Sequence, residues 1–161
     1  MSMIMQWDAA DAATADALRS MDGDAMVEWL EDPGDRISFD VDKAWHAIHF
    51  TLAGHPWNPT GSLGSVVLGG EPFGEDIGYD PARWLSPDAV AAAAAELDAL
   101  SPEEFASRLS FEALAANDVY PQMWDQAPAE LIEYVVAGYS TIRDGFIGAA
   151  AASQGFVINL L

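Results

Sequence analysis

The sequence contains no cysteine. Disulfide frameworks, cysteine nucleophiles and thiolate metal sites are therefore excluded, and the absence fits a reducing compartment. Cations are nearly as scarce: six Lys and Arg stand against 26 Asp and Glu in 161 residues, giving a formal net charge of -20 and a pI near 4.1. The six, Arg19, Arg36, Lys43, Arg83, Arg108 and Arg143, are spread singly along the chain. Binding to a phosphate backbone needs clustered cations that release counterions, and anionic membranes attract the same kind of cluster. No nucleic acid and no membrane is therefore expected as a partner. A basic protein would be attracted and steered by this field, although solubility or adaptation to salt produces the same acidity.

Long apolar runs are also missing. The last uncharged stretch, "GFIGAAAASQGFVINLL", is interrupted by Ser153, Gln154, Gly155 and Asn159 and is too short and polar for a membrane span. The opening "MSMIMQWDAAD" lacks the charged start, apolar core and cleavage site of a secretory signal, so a cytoplasmic location is expected. What is present suits a folded chain. The composition is 51% hydrophobic and 20% charged, and the length matches one compact domain over residues 1–161.

Read in order, Ser2 to Trp7 predicts a strand, and Asp8 opens an alanine-rich helix to about Met21. A short helix is expected over Asp24 to Glu31, closed by Pro33-Gly34, and another from Asp40 to the Gly54/Pro56 stop. From Gly54 to Trp84 the density of glycine and proline predicts a long ordered loop, with at most a turn of helix or strand near Ser65 to Leu68. Ser86-Pro87-Asp88 and the Ser101/Glu104 capping box then start two helices, and a third short one follows Ser110. "NDVYPQMWDQAP" reads as a turn-rich joint with Tyr120 held extended by Pro121. The last helix, Pro128 to Ser153, carries an apolar stripe of Leu131, Val135, Tyr139, Ile142 and Phe146, and "FVINLL" closes the chain as a strand able to pair with the first. The fold class is α+β, several helices packed on a small sheet that includes the N- and C-terminal strands.

Two stretches carry candidate chemistry. In "DVDKAWHAIHFTLAG", Val41, Trp45, Ile48 and Leu52 form a core stripe at helical spacing, with Asp42, His46 and His49 together on its flank. A carboxylate and two histidines in that register suit a two-His-one-carboxylate metal site, but the glutamate of helical zinc-protease motifs is missing and no metal is predicted. The alternative has Asp40 or Asp42 capping the helix and His49 hydrogen-bonded beside Trp45 at the core edge. Lys43, the only lysine, is expected to pair with Asp40 or Asp42 rather than act as a base with a displaced pKa. Asp42, Lys43, Trp45, His46 and His49 are thus the candidate site.

The second stretch, "VLGGEPFGEDIGYDPARW", offers a candidate binding loop of Glu71, Phe73, Glu75, Asp76, Tyr79 and Arg83. Its glycines fit neither a P-loop nor a dinucleotide fingerprint, and its carboxylates lack EF-hand spacing, so no cofactor is predicted. One reading is a solvated acidic loop that Arg83 anchors by an internal ion pair; the other is a binding loop with exposed Tyr79, Phe73 or Trp84 as aromatic anchors. No serine occupies a nucleophile elbow, and no enzyme signature is present. Two readings follow. The first is a non-catalytic, acidic protein-interaction domain, immunity-like in binding a basic partner; the second is a small metal-dependent enzyme or ligand-binding domain built on the Asp42/His46/His49 helix and the Gly-rich loop.

The order of landmarks resembles the YfbM-like family of small bacterial proteins, a domain of unknown function. The likeness rests on "DVDKAWHAIHF" followed by Gly54, on "VLGGEPFGEDIGYDPARWLSPDAV", on "VYPQMWD", and on an aromatic C-terminal helix before a final apolar strand. It spans essentially the whole chain. The resemblance implies an α+β domain of bacterial, cytoplasmic origin and no established activity. It also implies a family histidine at the position of His49, with other residues often replacing His46.

Overall fold

The computed structural model describes residues 2–126 and 128–161. The two terminal strands, β1 (Met5–Ala10) and β5 (Gly155–Leu160), pair antiparallel along their full lengths, from Met5 opposite Leu160 to Ala10 opposite Gly155. β2 (Ser38–Asp40) flanks β1, while β4 (Pro81–Leu85) flanks β5 and carries the edge strand β3 (Glu71–Asp76), giving the order β2-β1-β5-β4-β3 with every pair antiparallel.

Helices cover both faces of this sheet, so the central strand β5 reads as an almost continuous apolar run instead of an alternating one. Met5, Trp7, Ala9, Leu85, Phe156 and Ile158 join the larger core. That core is completed by α3 (Trp45–Ala53), α4 (Gly61–Leu68), α5 (Pro87–Ala99), α6 (Pro102–Arg108), α7 (Phe111–Ala116) and α8 (Glu130–Ala151). The alternate residues Ala10, Ala82 and Val157 join a smaller core under α1 (Ala12–Arg19) and α2 (Gly23–Glu31). Helix starts follow local chemistry: side chains of Asp11, Asp22, Ser86, Ser101 and Ser110 each accept a hydrogen bond from an amide in the first turn. Each such cap stabilises its helix by about 1 kcal/mol.

Three expectations change. β1 continues through Asp8 to Ala10, and Asp11 is the cap of α1, because Asp8 is fully buried against Arg36 at 2.9 Å and is no longer a surface polar residue. The helix expected from Asp40 starts at Trp45. Asp40 ends β2, and Asp42, at φ 48°, lies in the left-handed region that a helix cannot continue through, so a 3-10 turn over Asp42–Ala44 intervenes. Gly54, at φ 72°, closes α3 as the sequence indicates. The long loop is α4 followed by the β3–β4 hairpin, since Val66 and Val67 are fully buried and α4 is held by that packing.

Half of the chain's cations work inside this frame. None of α2, α4 and α5 has a basic residue in its last turn, and each receives an arginine from elsewhere. Arg36 donates to the carbonyls of Trp29 and Asp32, Arg83 to those of Val67 (3.0 Å) and Gly69 (2.7 Å), and Arg143 to those of Leu97 (2.8 Å) and Asp98 (2.9 Å). A guanidinium there satisfies orphan carbonyls and meets the negative end of the helix dipole.

Candidate functional site

α3 places His46 and His49 on consecutive turns, and both are completely buried. His46 is fully hydrogen-bonded. Its Nδ1 accepts the Tyr120 amide at 2.8 Å, so Nδ1 carries no hydrogen, and Nε2–H donates to the Pro56 carbonyl at 2.8 Å. The ring stacks on Trp45 at 4.9 Å and lies tilted against Trp57 at 4.3 Å. Burial holds its pKa below the ordinary histidine value, against an opposing pull from the Pro56 carbonyl. Protonation at Nδ1 would set a second donor against the Tyr120 N–H. Tyr120 in turn accepts the Met3 amide at its hydroxyl (3.0 Å), and Trp45 Nε1 donates to the Met3 carbonyl (3.0 Å). His46 therefore ties α3, the segment after it and the Tyr120 joint to the start of the sheet.

His49 is its opposite. Neither ring nitrogen has a hydrogen-bond partner among the described residues. Burial, with the nearby His46, Arg83 and His55, pushes its pKa down to about 4, and the Asn58 backbone only weakly favours the charged form without bonding to the ring at normal geometry. The expectation of a hydrogen-bonded His49 is corrected accordingly.

This pair has a pH consequence. His49 stays neutral in the folded chain down to about pH 4, whereas in the unfolded chain it takes up a proton below about pH 6.5, so stability falls as pH drops through that window, and the lowered pKa of His46 acts in the same sense. His49 alone accounts for roughly 3 kcal/mol over that window. His49→Leu removes two unpartnered nitrogens and should gain about 1–2 kcal/mol at neutral pH while flattening the acid limb. Urea unfolding at about pH 7.5 and pH 5 reads both effects, and a variant weakened equally at both pH values would contradict the assignment.

The structure does not bring Asp42 to the histidines. It is exposed, its amide donates to Asp40 Oδ1 (2.8 Å), and its Oδ2 accepts the Tyr134 hydroxyl (2.9 Å). No group of three or more His, Asp or Glu among the described residues is placed to hold a metal ion. α3 has no side-chain N-cap, so neither Asp40 nor Asp42 serves as one. Lys43 makes no ion pair within 4 Å among the described residues, contrary to expectation; its amide donates to the Tyr134 hydroxyl at 3.0 Å.

The candidate loop divides between opposite faces. Glu71, Glu75 and Asp76 are exposed on the edge strand β3, with Glu75 accepting the Gly23 amide at the start of α2 (3.0 Å). Glu75 and Asp76 line an open groove of about 720 Å³ with Asp22 and Asp24. Phe73 and Trp84 pack against the smaller core and Tyr79 is half-buried, so none is the exposed anchor the sequence suggested. Trp57 is instead a large aromatic that stands exposed, at 58%. Arg83 forms no ion pair within 4 Å among the described residues, because the α4 carbonyls occupy it; burial lowers its pKa to about 10, with Asp80 opposing. Arg83 also borders a recess of about 230 Å³ shared with Met5, Trp45, Trp57, Leu68 and Asp80.

Pro56, Trp57 and Tyr120 were not singled out as site residues from the sequence, and Asp80 counts there only as one of the loop carboxylates without EF-hand spacing. Tyr120 lies in the "VYPQMWD" landmark, Pro56 marks a helix stop, and Trp57 lies in the Gly- and Pro-rich stretch that predicts a loop.

The fold matches a known structure. YfbM from Escherichia coli, itself a protein of unknown function, aligns over 98% of this chain and 99% of its own with a TM-score of 0.73 at 20% identity. No curated protein matches the chain. A family model described as "Domain of unknown function (DUF1877)" matches residues 1–159. Carrying that match along nearly its whole length, the chain belongs to the DUF1877 family.

Proposed function

We propose that the chain is a non-catalytic, acidic protein-interaction domain that binds a basic protein, an immunity-like neutraliser being one form of that role. The observation that carries this reading is the scarcity of cations beside the surface carboxylates, with Arg36 and Arg83 turned inward to helix C-termini. Arg36 is matched by the buried Asp8 and Arg83 by carbonyls, so Arg19, Lys43, Arg108 and Arg143 are left to offset the surface carboxylates, and among the described residues only Asp98 of those has an ion-pair partner within 4 Å, Arg143. A surface of nearly one sign raises association rates with an oppositely charged partner and discriminates against acidic ones. The groove between α2 and β3, with Asp24 and Asp76 on its wall, is the proposed seat.

Affinity capture from a lysate of the native organism tests the proposal. A stoichiometric partner with a pI above about 9 should be retained at about 0.05 M salt and released at about 0.5 M. Recovery of no stoichiometric basic partner would retire it.

The second reading is supported in one of its two forms. The metal-dependent version loses its third ligand with Asp42 turned away to Tyr134. The ligand-binding version is favoured by the recess between α3 and the hairpin, where aromatic walls and two charged side chains converge.

A further inference from the structure

We infer that the recess bordered by Trp45, Trp57, Asp80 and Arg83 binds a compact zwitterion of the α-amino acid class, its ammonium at Asp80, its carboxylate at Arg83 and an apolar side chain against the tryptophans. The inference rests on the ligand-binding reading of the recess and adds the ligand's chemistry.

The recess lies where β1 begins, β5 ends and β4 begins, on the face that α3 covers. Asp80 and Arg83 both border it yet stand more than 4 Å apart, so a carboxylate and a guanidinium face one small space without neutralising each other. Arg83 has five N–H donors. Three contacts are made, to Gly69 O, Val67 O and Met5 Sδ (3.6 Å), and the remaining donors have no partner among the described residues. A ligand carboxylate would supply those bonds to a guanidinium already withdrawn from water, which is where charge-assisted contacts are strongest.

The walls set the rest of the ligand. Met5, Trp45, Trp57 and Leu68 present apolar and aromatic surface, and Trp57 is exposed enough to be covered by an incoming side chain. A volume of about 230 Å³ equals roughly eight waters of liquid, which limits the ligand to a small molecule. Net charge makes the final selection. A chain of -20 repels a simple anion, whereas a zwitterion carries no net charge and meets both fixed groups.

Calorimetric titration with L-phenylalanine, phenethylamine, 3-phenylpropionate and benzyl alcohol separates the alternatives. L-phenylalanine should bind saturably, and the other three should bind about tenfold more weakly or worse. Asp80→Asn, an exposed position outside the arginine cap of α4, should keep the wild-type circular dichroism spectrum and reduce L-phenylalanine to the level of 3-phenylpropionate. Equal binding of 3-phenylpropionate, phenethylamine or benzyl alcohol would overturn the zwitterion assignment and leave the recess a ligand site. Absence of saturable binding by all four up to about 10 mM would overturn both.

Discussion

Arg36→Met is expected to cost about 3–5 kcal/mol, because it leaves a carboxylate buried without its cation. Asp8 has no exposed surface. Its Oδ1 takes Arg36 Nε at 2.9 Å and its Oδ2 takes the Gln6 amide at 2.8 Å. The same guanidinium lies 3.7 Å over the Trp29 ring and holds the last carbonyls of α2. Methionine keeps the stem but supplies none of these bonds. Adding Asp8→Asn should recover roughly half of the loss by removing the stranded charge, leaving the uncapped α2 carbonyls as the remainder. Urea midpoints at neutral pH give both numbers, and an R36M chain within about 1 kcal/mol of wild type would mean that Asp8 is not held as described.

His46→Ala should cost a similar amount, about 3–5 kcal/mol, for a different reason. The substitution strands the Tyr120 N–H and the Pro56 carbonyl and opens a void between Trp45 and Trp57. Loss of the staple should also loosen the segment from Pro56 to Thr60, visible as faster amide exchange at Trp57 and Asn58, whose amides both donate to His55 Nδ1. The comparison with His49→Leu is the informative one. Two histidines three residues apart on one helix respond in opposite senses, since one ring has every polar atom bonded and the other has none. An alanine at position 46 tolerated as well as a leucine at 49 would contradict that division.

Local chemistry explains which parts of the fold were legible in the sequence. Ser86, Ser101 and Ser110 announce their helices because a cap bonds within three residues, and the stripe on α8 needs only its own periodicity. The terminal strands pair as expected because "FVINLL" has one buried environment available to it. What failed depended on partners far along the chain. Asp8 looks like a helix opener until Arg36, 28 residues later, makes it a buried strand residue. Residues 54–84 look like a loop because glycine and proline weaken regular structure, yet Pro72 sits on an edge strand where its missing amide is harmless. Gly70 is there for space. At φ 94° it lies against the Trp84 backbone, where a Cβ would come within 2.9 Å of the carbonyl oxygen.

The candidate site was legible to the same degree. His46 and His49 were picked out as a pair, but helical spacing cannot reveal that Tyr120 and Pro56 satisfy one and nothing satisfies the other. Asp42 was grouped with them by angle alone. Its left-handed backbone breaks the helix on which that angle was counted. Arg83 was read as a loop anchor in an acidic segment, where an ion pair is the natural expectation. The carbonyls at the end of α4 are the stronger attraction because they are themselves buried and unsatisfied without it.

These placements bear on function through charge. An arginine held at a helix end without a carboxylate partner is one cation fewer available to break up the negative surface. Arg36 is matched by the buried Asp8 and Arg143 by the exposed Asp98, which leaves Arg83 as the arginine held at a helix end without a carboxylate partner within 4 Å among the described residues. The proposed recognition of a basic partner would draw on this field in its association rate, which solubility or adaptation to salt does not require. The association rate of the captured partner with this chain, measured by stopped flow at about 0.02 and 0.3 M salt, tests that account most directly. A fall of at least about tenfold is predicted, and a rate independent of salt would contradict it.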